Sequence, residues 1–180
     1  MLGLESWTLA RPEIFLAAAT TLLLLYGVLR GEASATFVSY ASALALLVTA
    51  VLLFMPFRDG TAFANLFVAD RLTATMKALV LIGSAIAILM SRGYFERVRV
   101  WRFEYPLLVA LATLGMMLMI SANDLMSLYV GLELQSLALY VVAAFQRDTV
   151  RSTEAGVKYF VLGSVASGML LFGASLIYGF

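Results

Sequence analysis

Cysteine and histidine are both absent from the 180 residues. Without Cys there are no disulfides, thiolate metal sites or iron-sulfur clusters, and without His the usual haem and zinc ligands are missing. Any redox chemistry this chain serves would therefore use cofactors held elsewhere. Charge is scarce as well: Asp, Glu, Lys and Arg together make up 13% of the residues, and the net charge is +1. That near-balance excludes the basic excess by which a nucleic-acid-binding face announces itself. No phosphate loop, nucleophile elbow or Gly-x-Gly-x-x-Gly fingerprint occurs, so the chain is not expected to bind NADH itself.

What the chain does have is oil. Apolar residues make up 63% of it and the mean hydropathy is +0.97. A water-soluble surface needs far more charge than this, so the chain reads as an integral membrane protein whose surroundings are a lipid bilayer. Runs long enough to cross about 30 Å of hydrocarbon as helix number six, at 14–29, 37–57, 74–91, 105–122, 125–145 and 157–178. They lack the alternation that a barrel wall requires. The expected fold is all-α, a polytopic transmembrane helical bundle forming a single domain over 1–180.

The polar punctuation fits these boundaries. Arg11-Pro12-Glu13 puts a proline in the first turn of the first helix, where its missing N–H costs nothing, and Asn123-Asp124 can cap the fifth helix after a very tight turn. The fourth and fifth helices should form an antiparallel hairpin. No charged leader with a cleavage site opens the chain, so the first run reads as a retained helix. The long connection 58–73 carries Phe63, Leu66 and Phe67 at helical spacing, which suggests a segment lying along the interface.

Basic residues set the orientation. One side collects Arg11, Arg58 and Arg71; the other collects Arg30, Arg92, Arg97, Arg99, Arg102, Arg147 and Arg151. The positive-inside rule then places the N-terminus outside and, after six crossings, Phe180 outside too.

Against this topology the ionisable residues are unequal. Lys77, Glu104 and Lys158 lie near helix ends, where they could snorkel to headgroups or form local pairs, as Glu154 and Lys158 do at i,i+4 spacing. Glu133 lies about 18 Å deep by helical rise, close to mid-membrane. A charge there costs on the order of 2.5 to 3.5 kcal/mol. Tyr129, Glu133, Ser136 and Tyr140 recur at spacings of four, three and four, which aligns them on one face that should look into the protein or a water file.

Two readings of that stripe stand side by side. In one, Glu133 is a neutral or paired hydrogen-bonding glue between helices. In the other it takes up and releases protons, since burial favours the neutral carboxyl and an approaching cation favours the ionised one. Ser, Thr or Asn would serve as glue without the same penalty, which favours the second. Direct pairing with Lys158 is disfavoured by a depth difference of more than about 10 Å. Met116, Met117 and Met119 look like flexible filler, and Gly163, Ser164, Ser167 and Gly168 look like a small-residue packing face.

The motifs GLELQSLALY, from Gly131, and EAGVKYFVLGS, from Glu154, carry a specific resemblance. With their surroundings they resemble the subunit N family of bacterial proton-pumping NADH:quinone oxidoreductase, respiratory complex I. The likeness is close from Glu104 to Phe180 and looser before. It implies an antiporter-like subunit of the membrane arm that couples electron transfer from NADH to quinone to proton movement. It also implies a translocase component without a redox centre of its own, with FMN, iron-sulfur clusters and quinone in other subunits. The partners implied are the other membrane-arm subunits, and the place is the bacterial inner membrane.

By the resemblance, Glu133 is a central element of the proton path, and Lys158 and Glu104 match family positions on or near the same polar axis. Family members are longer, built from inverted repeats, and carry a lysine in the seventh helix that partners the Glu133 position. The chain therefore resembles an N-terminal portion that would not pump alone. A different reading is a subunit of a multisubunit cation/proton antiporter without redox activity.

Overall fold

The structure, a computed structural model, describes residues 4–55, 59–98 and 100–179, with side chains from Trp7 onward. Arg58, Arg99 and Phe180, used above for orientation, lie outside the described residues, as do the last two residues of the 37–57 run. The helices are α1 (Leu4–Leu9), α2 (Arg11–Arg30), α3 (Ala35–Leu52), α4 (Arg71–Val98), α5 (Glu104–Ser121), α6 (Leu125–Ala143) and α7 (Val150–Gly179). Five runs are long and apolar enough to cross a membrane, and the first of them, Arg11–Leu52, contains two helices. Gly31 divides it: a φ of +68° is open to glycine without a Cβ clash, and a 3₁₀ turn then sends α3 back along α2. The result is six membrane-length helices among the described residues.

Helices α2 to α5 make the core. Leu16 of α2, Leu46 of α3, Leu81 and Ile88 of α4 and Met117 of α5 are all fully buried in one cluster. Toward the other end Val38, Phe103 and Leu107 form a second one. Several hydroxyls buried in this oil bond to the preceding turn of their own helix, while that of Ser42 has no partner among the described residues. Thr20 donates to the Leu16 carbonyl and Thr49 to that of Ala45. Thr113 donates to Val109 O at 2.7 Å and sits 2.8 Å from the Ser84 hydroxyl, which can donate to it across the α4–α5 contact.

Helices α5 and α6 form the expected hairpin, the most extensive helix pairing in the fold. Asp124 caps α6, accepting from the amides of Ser127 at 3.0 Å and Met126 at 3.3 Å, with Tyr178 donating from α7 at 3.1 Å. Hydrogen bonds from Ser127 hold the Asp124 carboxyl below its ordinary value. A carboxylate with a depressed folded-state value adds stability above its unfolded value, and that contribution fades as pH falls through the folded one. Asp124→Ala should thus lower the unfolding temperature of the detergent-solubilised chain slightly at neutral pH. The difference from wild type should vanish well below pH ~3.9. A drop unchanged at acid pH would remove the cap from the account.

Three expectations need correction. The connection after α3 is not an interfacial helix: Gly60–Ala62 (β1) and Phe67–Ala69 (β2) pair antiparallel, Gly60 opposite Ala69 and Ala62 opposite Phe67. Phe63, Ala64 and Asn65 at the turn all have positive φ, which no right-handed helix tolerates. Tertiary hydrogen bonds hold this shape: Asn123 donates to the carbonyls of Leu66 and Asn65, and Ser121 to that of Val68. Second, α7 begins at Val150, seven residues before the expected 157, which moves Lys158 from the helix start to about 12 Å along it. Third, the small residues of α7 are not a uniform packing face, because Gly168 has open space around it. Close helix contact lies between Gly115 and Gly131 instead, where a Cβ on Gly115 would stand 2.6 Å from the Gln135 amide nitrogen.

Candidate functional site

Glu133 stands near the midpoint of α6, half-buried, and faces α7. Its approach to α7 is permitted by small residues: Gly163 leaves room for the Tyr140 ring, and the buried Ser167 fills the next contact. The Ser167 hydroxyl donates to Glu133 Oε1. The same hydroxyl lies 3.2 Å from that of Tyr129, which can donate to it in turn. Three polar side chains thus form one hydrogen-bonded row, Tyr129 to Ser167 to Glu133.

The rest of the stripe continues toward the Arg-rich end. Ser136 is half-buried one turn beyond Glu133. Tyr140, a further turn on, packs edge-on against Tyr159 and Phe160 of α7. It also lines a cavity between α5, α6 and α7, whose wall includes Glu104, Arg102 and Arg147. Glu104 opens α5 there, half-buried, with its Oε2 buried and unpartnered among the described residues. The sequence-derived residues therefore fall into two places: Glu133 with Tyr129 at mid-helix, and Glu104 with Tyr140 at the cavity.

Lys158 joins neither. It is exposed, 70% at the side chain, and pairs with Glu154 at 2.5 Å on the same helix. By helical rise it stands about 13 Å from Ser167, the partner of Glu133, along α7.

Two residues were missed by sequence reasoning. Ser167 was read as a packing residue; its signal was a hydroxyl within a small-residue row facing a carboxylate helix. Lys77 was read as an interface anchor, yet it is 3% exposed and its Nζ lies 2.5 Å from Oε1 of Glu13, itself 4% exposed. The Lys77 ammonium also stands 4.6 Å from the Phe67 ring centroid. Nothing in the local sequence points from Lys77 to Glu13, because sixty-four positions separate them. Among the described residues no group of three or more Asp or Glu is placed to hold a metal ion.

Comparisons with known proteins agree with this architecture. Residues 122–180 match a family model described as NADH:quinone oxidoreductase/Mrp antiporter, transmembrane. NADH-quinone oxidoreductase subunit N of Paramagnetospirillum magneticum is 59% identical over 170 residues, covering 94% of this chain and 35% of that protein. Subunit N 1 of Rhizobium meliloti is 50% identical over 177 residues, 98% of this chain and 37% of that one. A chain in the structure of respiratory complex I from Thermus thermophilus with bound aureothin superposes with a TM-score of 0.77 at 32% identity, covering 93% of this chain and 36% of the other. The chain spans about a third of the length of the relatives it matches. Over nearly all of its own length, this chain is similar to the N-terminal third or so of subunit N of NADH-quinone oxidoreductases.

Proposed function

We propose that the chain is part of a proton-translocating membrane-arm subunit of a bacterial NADH:quinone oxidoreductase. The observation that carries this reading is the relay at Glu133: a carboxyl group at mid-helix, in a chain made for hydrocarbon, bonded by the Ser167 hydroxyl, which Tyr129 in turn contacts. Glu133 accepts a proton through Ser167 and Tyr129, or along the Ser136–Tyr140 side, and passes it on. Glu104 and Tyr140 line the cavity at the Arg-rich end and give protons access to that side. Lys158, paired with Glu154, supplies a mobile positive charge on the same helix as Ser167.

In this reading electron transfer from NADH to quinone takes place in other subunits, which hold FMN, iron-sulfur clusters and quinone. The partners of this chain are the other membrane-arm subunits, and its place is the bacterial inner membrane. The Arg-rich end, with Arg30, Arg97, Arg102 and Arg147, faces the cytoplasm by the positive-inside rule. The relatives' name, subunit N, supports this over a cation/proton antiporter without redox activity, which the family model alone would also accommodate.

Purification of the intact assembly tests the choice. Flavin and iron-sulfur absorbance copurifying with the chain is the expected result, and their absence from an otherwise intact assembly would favour the antiporter. Within the site, Ser167→Ala removes the donor to Glu133, a bond to a charged group worth about 1.5–3 kcal/mol. Proton pumping per NADH oxidised should fall, though less than when the carboxylate itself is replaced. Unchanged pumping would take Ser167 out of the path.

A further inference from the structure

The Glu13–Lys77 pair has no part in the path just described, yet it is the most deeply buried pair of charges among the described residues. As a structural bolt it is a poor choice. Two charges lose their water on burial, and apolar residues of similar volume commonly hold such a position as well or better. It is also incomplete, because Glu13 Oε2 is buried without a partner.

The surroundings of the two partners differ. Lys77 lines a cavity whose wall includes Arg11, Asp70 and Thr73, at the polar start of α4. Glu13 lines a second cavity, apolar in the main, with Phe63, Phe67, Leu114 and Leu118 in its wall and Asp124 as its other charged group. The pair therefore stands between a cavity of mixed lining that carries Arg11 and Asp70 and a more apolar one, with the Phe67 ring against the ammonium. Arg11, Asp70 and Asp124 are the charged groups lining the two cavities.

We propose that Glu13 and Lys77 form a second proton-transfer site, at the end of the bundle opposite the Arg-rich connections. The step balances without a co-reactant. A proton from water in the cavity that Glu13 shares with Asp124 is taken up by the Glu13 carboxylate, and Lys77, deprived of its counter-ion, releases its own proton to water in the Asp70 cavity. Return of a proton to Lys77 and loss of one from Glu13 restores the ion pair. The buried, unpartnered Oε2 is the atom left to take the incoming proton; Asp124 lines the cavity on the Glu13 side and Asp70 the one on the Lys77 side.

The inference rests on the translocating function proposed above, and Lys77→Arg in the intact oxidoreductase complex tests it. Arginine keeps the positive charge and the pairing with Glu13 but does not give up its proton in a protein. A purely structural pair should tolerate it, whereas a transferring one should not. Proton pumping per NADH oxidised, measured in membrane vesicles, should drop at least about threefold while the complex assembles. Pumping at the wild-type level would overturn the inference.

Should the larger guanidinium impair assembly, Glu13→Gln is the second variant: it keeps the side chain's shape while removing its titration and its negative charge, and pumping is normalised to the amount of assembled complex. The same loss of pumping is expected, and full pumping with Glu13→Gln overturns the inference equally. Glu133→Gln run in parallel separates the two failures. If it lowers pumping and these variants do not, only the second site is lost. If none lowers pumping, the functional reading itself fails.

Discussion

Replacing Glu133 with Gln reduces proton pumping to a small fraction of the wild-type rate, while the complex assembles and still oxidises NADH. Gln keeps the size of the side chain, and its carbonyl can still accept from Ser167, so the α6–α7 contact survives. What Gln cannot do is bind and release a proton. The large effect follows because the relay converges on this one carboxylate, with Tyr129 reaching it only through Ser167. Glu133→Asp, which titrates but is shorter by one methylene, should retain part of the pumping. The proton-to-electron ratio in inverted vesicles is the measurement, and near-normal pumping by the Gln variant at normal assembly would end the account.

Gly115→Leu should unfold or misassemble the α5–α6 hairpin. A Cβ at Gly115 would meet the Gln135 amide nitrogen at 2.6 Å and the Gly131 carbonyl at 2.7 Å. Both are backbone atoms, which no rotamer change moves aside. Overpacking of this kind costs about 1–3 kcal/mol or more, and the gain from replacing a helix-interior glycine is about 1 kcal/mol, so even Gly115→Ala is net destabilising. Leucine adds volume at the same point. Parting α5 from α6 also shifts Glu133, which lies between Gly131 and Gln135 on the same helix, away from Ser167. Gly168 offers the opposite case: nothing lies within 4 Å of its would-be Cβ, so Gly168→Ala should stabilise by up to about 1 kcal/mol. Thermal unfolding in detergent distinguishes the two signs, and equal responses would discard the close-packing argument.

The helices were legible because membrane spans are the strongest signal a sequence carries: backbone groups in hydrocarbon must bond within the segment, so apolar runs of the right length become helices. Asp124 as a cap and the tight α5–α6 turn were legible for the same local reason. The β-hairpin was not, since Phe63, Leu66 and Phe67 have helical spacing and only the contacts of Ser121 and Asn123, more than fifty positions away, impose the strand pairing. The start of α7 was missed because Val150 to Gly156 is polar enough to read as a loop, although its backbone is helical.

The site divides in a similar way. Glu133 stood out through depth alone, and the Tyr129 and Tyr140 spacing gave its face. Ser167 and the Glu13–Lys77 pair lay in tertiary contacts, where periodicity along one helix has no bearing.

The infrared difference spectrum between resting and turning-over complex tests the central claim most directly. Protonation of the Glu133 carboxylate during turnover should appear as a carboxyl C=O stretching band in the wild-type complex that is missing from the Glu133→Gln variant. Identical spectra from the two would mean that Glu133 keeps one protonation state throughout, and would contradict the account.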